Sequence, residues 1–568
     1  MPEISRRDFL RFAGGAAFAP LVPRQVSKFT HTNATLIHNP ILPGFNPDPS
    51  IVRVGDDYYI ATSTFEWFPA VQIHHSRDLV HWRLLTRVLT HRSQLDLRGA
   101  NPSDGVWAPC LSHDGIRFYL IYTDMKSRRV RFWDCNNYLV SAEQIEGPWS
   151  EPVYLNSSGF DPSLFHNDDG RKWLLNMLQD PRDGQNRFAG IVLQEYSPVQ
   201  QKLVGEPQLI FQGTSLGITE GPNLYKHDGW YYLICAEGGT GLRHAVTVAR
   251  SHQIQGPYEV DPQNPMLTSY NKPELVLQKA GHASLVQTQG GEWYIAHLCA
   301  RPLSASGRCT LGRETALQKV IWDAEGWLRL ASGGASPQVD VPAPNLLSQP
   351  WPAEPERDDF DQLTLNIHFQ SPREPMDDTW LSLTERPGFL RLHGRMSPNS
   401  RFNQSTVARR IQAFHVGAET CVEFAPRDQL QMAGLLAMYD EIEWYWLAVS
   451  GDATLGKVLR LLHRDDATYS ELLPQPISLA NWERCYLRSR IDNESLLFFY
   501  SPDGSSWTQV GGVLDATQLS DEYPTGRFTG SFFALCAMDL HGTRLPADFD
   551  YFTYSELDQF AWLPVITK

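Results

Sequence analysis

At 568 residues, with 42% hydrophobic and 20% charged side chains, the chain is long enough for two or more folded domains and too well balanced for a disordered one. A net charge of −15 argues against a nucleic-acid partner and against docking on anionic membranes, while leaving a neutral polymer such as a polysaccharide open. Eight Cys without a Cys-X-X-Cys pair argue against a disulfide scaffold, a zinc site of that type and a thioredoxin motif, and are expected as buried thiols.

In chain order, residues 1–35 form an N-terminal segment in which Ser5-Arg6-Arg7-Asp8-Phe9-Leu10-Arg11 resembles a twin-arginine export signal before a short apolar run. That implies a periplasmic or extracellular destination. Pro20 directly after the candidate cleavage triplet Ala17-Phe18-Ala19 leaves a cytoplasmic one open. No later stretch approaches the roughly 20 apolar residues of a membrane helix.

From residue 36 to 335 one register recurs five times. The units open at Asp48-Pro-Ser, Trp107-Ala-Pro, Asp161-Pro-Ser, Glu220-Gly-Pro and His282-Ala-Ser, spaced by 59, 54, 59 and 62 residues. Each opening is followed by a turn and an aromatic strand such as Asp57-Tyr-Tyr-Ile or Trp230-Tyr-Tyr-Leu. Helical periodicity is missing, so the repeat predicts four-stranded units arranged radially, a five-bladed β-propeller. The first strand of each propeller blade lines the central channel, so Asp48, Trp107, Asp161, Glu220 and His282 are expected to converge at one end of the axis. Three carboxylates there carry a repulsion and desolvation cost that a purely structural propeller has no reason to bear.

Residues 336–358, rich in Pro, Ala and Ser, read as a linker. Residues 359–568 show short alternating runs such as Thr420-Cys-Val-Glu-Phe and Leu496-Leu-Phe-Phe-Tyr between turn signals, which predicts a β-sandwich of jelly-roll type. The fold class is therefore all-β, a propeller followed by a sandwich. Adjacent His74 and His75 sit on a strand that points them to opposite faces, which argues against a shared metal.

Glycosidic hydrolysis needs one protonated carboxyl for the leaving oxygen and one ionised carboxylate as base or nucleophile. Three acids around one ring can divide that labour, because burial and mutual charge push their pKa values apart. Two prolines stiffen the approach of Asp48, the extra methylene of Glu220 gives it reach, and Asp161 repeats the Asp48 context in a position to orient or tune an acid.

The motifs Phe45-Asn-Pro-Asp-Pro-Ser, Gly105-Val-Trp-Ala-Pro, Phe160-Asp-Pro-Ser, Thr219-Glu-Gly-Pro and Gly281-His-Ala-Ser-Leu-Val resemble glycoside hydrolase family 43. Thr62-Ser-Thr-Phe-Glu-Trp-Phe-Pro-Ala-Val-Gln-Ile-His-His-Ser and Leu311-Gly-Arg-Glu-Thr are similar to its two-domain β-xylosidases, and the likeness runs from about residue 38 to the end. The resemblance implies an inverting mechanism with Asp48 as general base, Glu220 as general acid and Asp161 as the residue that raises the acid's pKa and orients it. An inverting pair stands about 6.5–9.5 Å apart. The resemblance also makes Arg313 a substrate contact in the first subsite, Phe65 and Trp107 aromatic walls, and Thr240 part of the rim. It makes Phe532 or Phe533 the sandwich aromatic that closes the pocket. His282 matches an axial histidine that in relatives sits beside a calcium ion or a water, which makes it the candidate metal contact; no cofactor is required for the chemistry. Cys110 departs from the Trp-Ala-Pro-His common in relatives, at a position that bears on a pocket hydrogen bond.

The implied activity is exo-acting release of xylose from xylooligosaccharides. An α-L-arabinofuranosidase, or an enzyme with both activities, is the nearest alternative, since the two pentoses present similar hydroxyl patterns. A non-catalytic carbohydrate-binding propeller is an alternative of another class, as is a retaining enzyme acting on fructosides. Self-association is compatible with the sequence, which fixes no stoichiometry.

Overall fold

The computed structural model describes residues 35–303, 307–524 and 526–557. The twin-arginine reading of Ser5–Arg11 lies outside the described residues. Among the described residues the only helical element is one 3-10 turn, Ala516–Gln518, and no helix is long and apolar enough to cross a membrane. All eight cysteines are buried and free.

Five sheets of consecutive strands form the propeller, and in each the spatial order follows the sequence. Their innermost strands are Ser50–Val54, Gly105–His113, Ser163–His166, Glu220–His227 and Gln278–Gln287, which open blades I to V. Blade I continues through Asp57–Thr62, Ala70–Ser76 and Arg83–Leu89. Blade V ends with Arg313–Trp322 and Leu328–Leu330. The ring closes without exchanging a strand between first and last blades. Apolar contact takes that role: Ile51 and Ile60 of blade I share one buried cluster with Val286, Tyr294 and Leu317 of blade V. Ile37 and Val341 belong to the same cluster.

The stretch read as a linker is structured at both ends. Leu36–His38 pairs with Asp340–Pro342, which laces the start of the propeller to its exit. Arg357–Asp358 pairs with Phe552–Thr553 and so already belongs to the sandwich. Proline-rich composition marks the absence of a long internal strand, and an edge strap satisfies it as well as a free tether does.

Two antiparallel sheets make the sandwich, with a core that includes Trp380, Leu435, Leu447, Leu487, Phe498 and Phe533. Its larger sheet reaches into the propeller: Trp67 and Phe68, inserted between two strands of blade I, pair with Pro372 and Ser371. A mixed core seals this junction, with Phe45, Phe65 and Trp67 from the propeller packed among Met438, Trp444, Trp446 and Phe532. The segment leading to Asp48 and the wall bearing Phe65 are thus fixed against the second domain.

Candidate active site

At one end of the propeller axis lies a pocket of about 320 Å³. Asp48, Asp161, Glu220, His282 and Arg313 line it, each below a tenth exposed. Around them stand the aromatic rings of Phe65, Trp107, Trp133, Phe160, Phe188 and Phe528. Such a convergence of charged groups within apolar walls is the usual make-up of a small-molecule site.

The backbone that aims these groups is unusual. Asp48, Asp161 and His282 adopt φ values of 55°, 53° and 43°, and Phe65 lies at 50°. Left-handed conformations in non-glycine residues cost of order 1–3 kcal/mol each and persist only where the surroundings impose them. In blades I and III this conformation falls on the Asp of the recurring Asp-Pro-Ser, just before the inner strand, and aims its carboxylate at the pocket. Gly221 follows the same logic: at φ 56° an added Cβ would lie 2.9 Å from the His282 ring.

Asp48 accepts from Ser63 Oγ at 2.6 Å and from Arg313 Nη1 at 3.3 Å. Burial alone would raise its pKa, yet Arg313, His282 and the Ser63 hydroxyl together hold it below the ordinary carboxylate value. Glu220 meets the opposite balance. Burial and the charge of Asp48 push it up to about 8, against a smaller pull from Arg313. Burial, Glu220 and Asp48 also raise Asp161. Asp161 Oδ2 accepts the Gly221 amide at 3.1 Å, a bond that favours its ionised form and opposes part of that rise. One carboxylate kept ionised and one kept protonated is the division that acid–base hydrolysis requires.

Glu220 owes its position to a buried residue that sequence reasoning missed. Glu237, fully buried on the neighbouring strand, accepts from Thr214 N, Thr214 Oγ1 and Thr219 Oγ1 at 2.7, 2.6 and 2.7 Å. These bonds pin the loop that enters Glu220. Gly213 is there because any Cβ would strike Thr219 Oγ1 at 1.9 Å. Nothing in the sequence distinguishes Glu237 from an ordinary strand acid.

Of the sequence-derived candidates, Asp48, Asp161, Glu220, Arg313, Phe65, Trp107, Thr240 and His282 all line the pocket. Phe532 does not, and the expectation for it is corrected. Its ring stacks on Trp67 at 3.8 Å, fully buried in the interdomain core. Phe533 points the other way, into the sandwich core. The aromatic that the sandwich contributes is Phe528, four residues earlier. Its amide accepts support from the propeller, donating to Ser103 Oγ at 3.0 Å, and the following amide of Thr529 donates to Tyr439 Oη at 2.8 Å. Arg527 Nη1 bonds Asp440 at 2.5 Å and completes the anchorage. Arg128, bonded to Asp104 at 2.9 Å, lies 5.0 Å from the Phe528 ring and 5.5 Å from Trp107. Trp133, Phe160, Phe188 and Ile218 were also missed as lining residues.

Cys110 is corrected as well. It lines a separate cavity further along the channel, with its sulfur 3.9 Å from Asn223 Oδ1. His282 Nδ1 lies 3.9 Å from both Asp48 Oδ1 and Asp161 Oδ2. Calcium takes six to eight oxygen ligands. Around His282 the protein offers instead two carboxylates committed to the pocket and the imidazole of His244. Among the described residues no group of three or more His, Cys, Asp or Glu side chains is arranged to hold a metal ion, so the donor set does not fit calcium.

A five-bladed propeller with an ionised and a protonated carboxyl at the floor of an aromatic pocket is the framework of a glycosidase. A family model for glycosyl hydrolases family 43 matches residues 37–328, and one for the beta xylosidase C-terminal Concanavalin A-like domain matches residues 357–555. The chain belongs to glycosyl hydrolases family 43. It is 49% identical to a beta-xylosidase of Bacillus subtilis (strain 168), over 92% of this chain and 99% of that protein. It is 50% identical to xylosidase/arabinosidase 43B of Humicola insolens, over 91% of this chain and 97% of the relative. The crystal structure of a xylan beta-1,4-xylosidase from Bacillus halodurans C-125 superimposes with a TM-score of 0.91 at 55% identity, covering 92% of this chain and all of that one.

Proposed function

We propose that this glycosidase is an exo-acting, inverting β-xylosidase that removes xylose from the non-reducing end of xylooligosaccharides. The observation that carries the reading is the convergence of Asp48, Asp161, Glu220 and Arg313 in one aromatic-walled pocket, where Arg313, 3.3 Å from Asp48, favours an ionised base and burial favours a protonated Glu220. Water held by Asp48 attacks the anomeric carbon and gives its proton to that carboxylate. The glycosidic C–O bond breaks as the leaving oxygen takes the proton of Glu220. Asp161 keeps the acid protonated and Arg313 binds a sugar hydroxyl beside the base. Phe65, Trp107 and Phe528 enclose the apolar faces of a single pentose, and a pocket of about 320 Å³ favours removal of one residue over cutting within a chain.

The relative named xylosidase/arabinosidase supports a second reading, in which the same pocket also accepts terminal α-L-arabinofuranose. Hydrolysis of an aryl β-D-xyloside and an aryl α-L-arabinofuranoside, measured side by side with Glu220→Ala as control, tests both. Xyloside turnover that is lost in the variant supports the proposal. Arabinoside turnover alone replaces the substrate, and absence of both in a folded protein overturns the reading.

A further inference from the structure

Behind the segment that delivers Asp48, between blade I and the sandwich, lies a second cavity of about 520 Å³. Arg83, Arg87, Arg409 and Arg410 line it together with His74 and His368. The one carboxylate on its wall is Glu354, already hydrogen-bonded to His368. In a chain of net charge −15, four guanidiniums gathered around one acid are not a background of surface charge.

Two of these guanidiniums are buried with donors left over. Arg410, 6% exposed, gives Nε to Gln370 Oε1 at 2.9 Å and Nη1 to the Phe45 carbonyl, and its Nη2 has no partner among the described residues. Arg87, 7% exposed, gives Nη2 to Gln72 Oε1 at 3.0 Å and Nη1 to the carbonyls of Ile367 and Phe369; its Nε is unpartnered. The half-buried Arg83 and Arg409 also hold unpartnered Nε groups. Burial pushes Arg87 down to about 9, and burial together with Arg87 pushes Arg410 well below its usual range; no carboxylate opposes either shift. A buried cation is stable only when an anion or a full set of acceptors meets it.

We propose that this cavity binds a small oxyanion, a phosphate or the carboxylate of a sugar acid, held by the guanidiniums of Arg87, Arg409 and Arg410 that line it, with Arg83 at its mouth. Guanidinium forks match such planar or tetrahedral oxygen sets better than any other side chain. Arg83 lies 3.9 Å above the ring of Trp351, so the mouth pairs a cation with an aromatic face that a pyranose can cover. The site also reaches the chemistry indirectly. Arg410 holds the Phe45 carbonyl, while Gln72 Nε2 and His74 Nε2 meet Asn46 Oδ1 at 2.8 and 3.0 Å, so the bound anion braces Phe45-Asn46-Pro47-Asp48 from behind.

The full chain is titrated with sodium phosphate and with sodium glucuronate against sodium chloride at equal ionic strength, by thermal unfolding and by isothermal calorimetry. The expected result is a saturable rise in Tm of about 2 °C or more with a saturable heat of binding, both abolished in Arg409→Gln and weakened in Arg83→Gln. These two residues are half-buried and lie outside the pocket, so each variant's Tm in chloride reports its folding separately. A response to phosphate alone assigns a free oxyanion, and a response to glucuronate at lower concentration assigns a sugar-acid carboxylate. A Tm rise that never saturates, no heat with either anion, or an equal response in both variants overturns the proposal.

Discussion

Arg313 Nη1 stands 3.3 Å from Asp48 Oδ1, and its Nη2 reaches the carbonyl of Phe528 at 3.4 Å. One guanidinium therefore joins the base on the propeller to the loop that the sandwich lays over the pocket. The same charge favours the ionised form of Asp48 and, under the proposed function, offers a donor to a sugar hydroxyl, so its loss is expected to alter pH dependence as well as binding.

The kcat/KM of the native protein should follow a bell in pH. The base must be ionised, and Asp48 is held below 3.8, so activity is lost on the acid side only beneath that value. The acid must be protonated, and Glu220 lies at about 8, so activity falls as pH rises through that value. Arg313→Gln removes the largest charge that lowers Asp48, and its acid limb should move upward in pH. A pH–rate profile of the variant checks this, and an unmoved acid limb would mean that Arg313 only binds substrate.

Glu220→Ala should lower kcat by roughly 10²–10⁴ on substrates with poor leaving groups, the range ascribed to general-acid catalysis. Against a dinitrophenyl xyloside, whose leaving group needs no proton, the loss should shrink greatly. Asp48→Asn should lose activity on both alike, because water must be activated whatever leaves. A series of aryl xylosides of graded acidity measures the contrast.

Phe528→Ala opens the pocket wall at a partly buried ring on the edge of the interdomain core. The expected effect is a fall in kcat/KM of roughly ten-fold, about 1.4 kcal/mol, carried mainly by KM, with Tm nearly unchanged. Steady-state kinetics beside a melting curve checks it.

Phe532→Ala should do the reverse. Removing a fully buried ring stacked on Trp67 costs about 3–5 kcal/mol of stability, and the damage falls at the interdomain junction. Denaturant unfolding should show the loss, with kcat at low temperature nearly preserved.

The propeller and the axial residues were legible because they share one register. Asp48, Trp107, Asp161, Glu220 and His282 open equivalent strands, so a repeat seen in sequence translates into convergence in space. Phe528 was not legible for the opposite reason. It lies on a loop without a repeat, and its place is set by Ser103 and Tyr439, 425 and 89 residues away in sequence. The strand beginning at Phe532 drew attention by its aromatic pair, but alternation sends one ring into each core. Cys110 follows Trp107 across a register shift in the blade II pairing, and that displacement carries it along the channel, away from the pocket. The laced ends of 336–358 escaped because Pro, Ala and Ser composition is the same for a tether and for a strap that pairs at its ends.

The most direct test of the account is the anomeric configuration of the first sugar released, followed by proton NMR within the first minutes of hydrolysis of an aryl β-D-xyloside. Attack by water held on Asp48, with Glu220 protonating the leaving oxygen, predicts α-xylose first and β-xylose only as mutarotation proceeds. Initial release of β-xylose would contradict it, because retention requires one carboxylate to bond the sugar, and the role given to Asp48 as the base that activates water would then not stand.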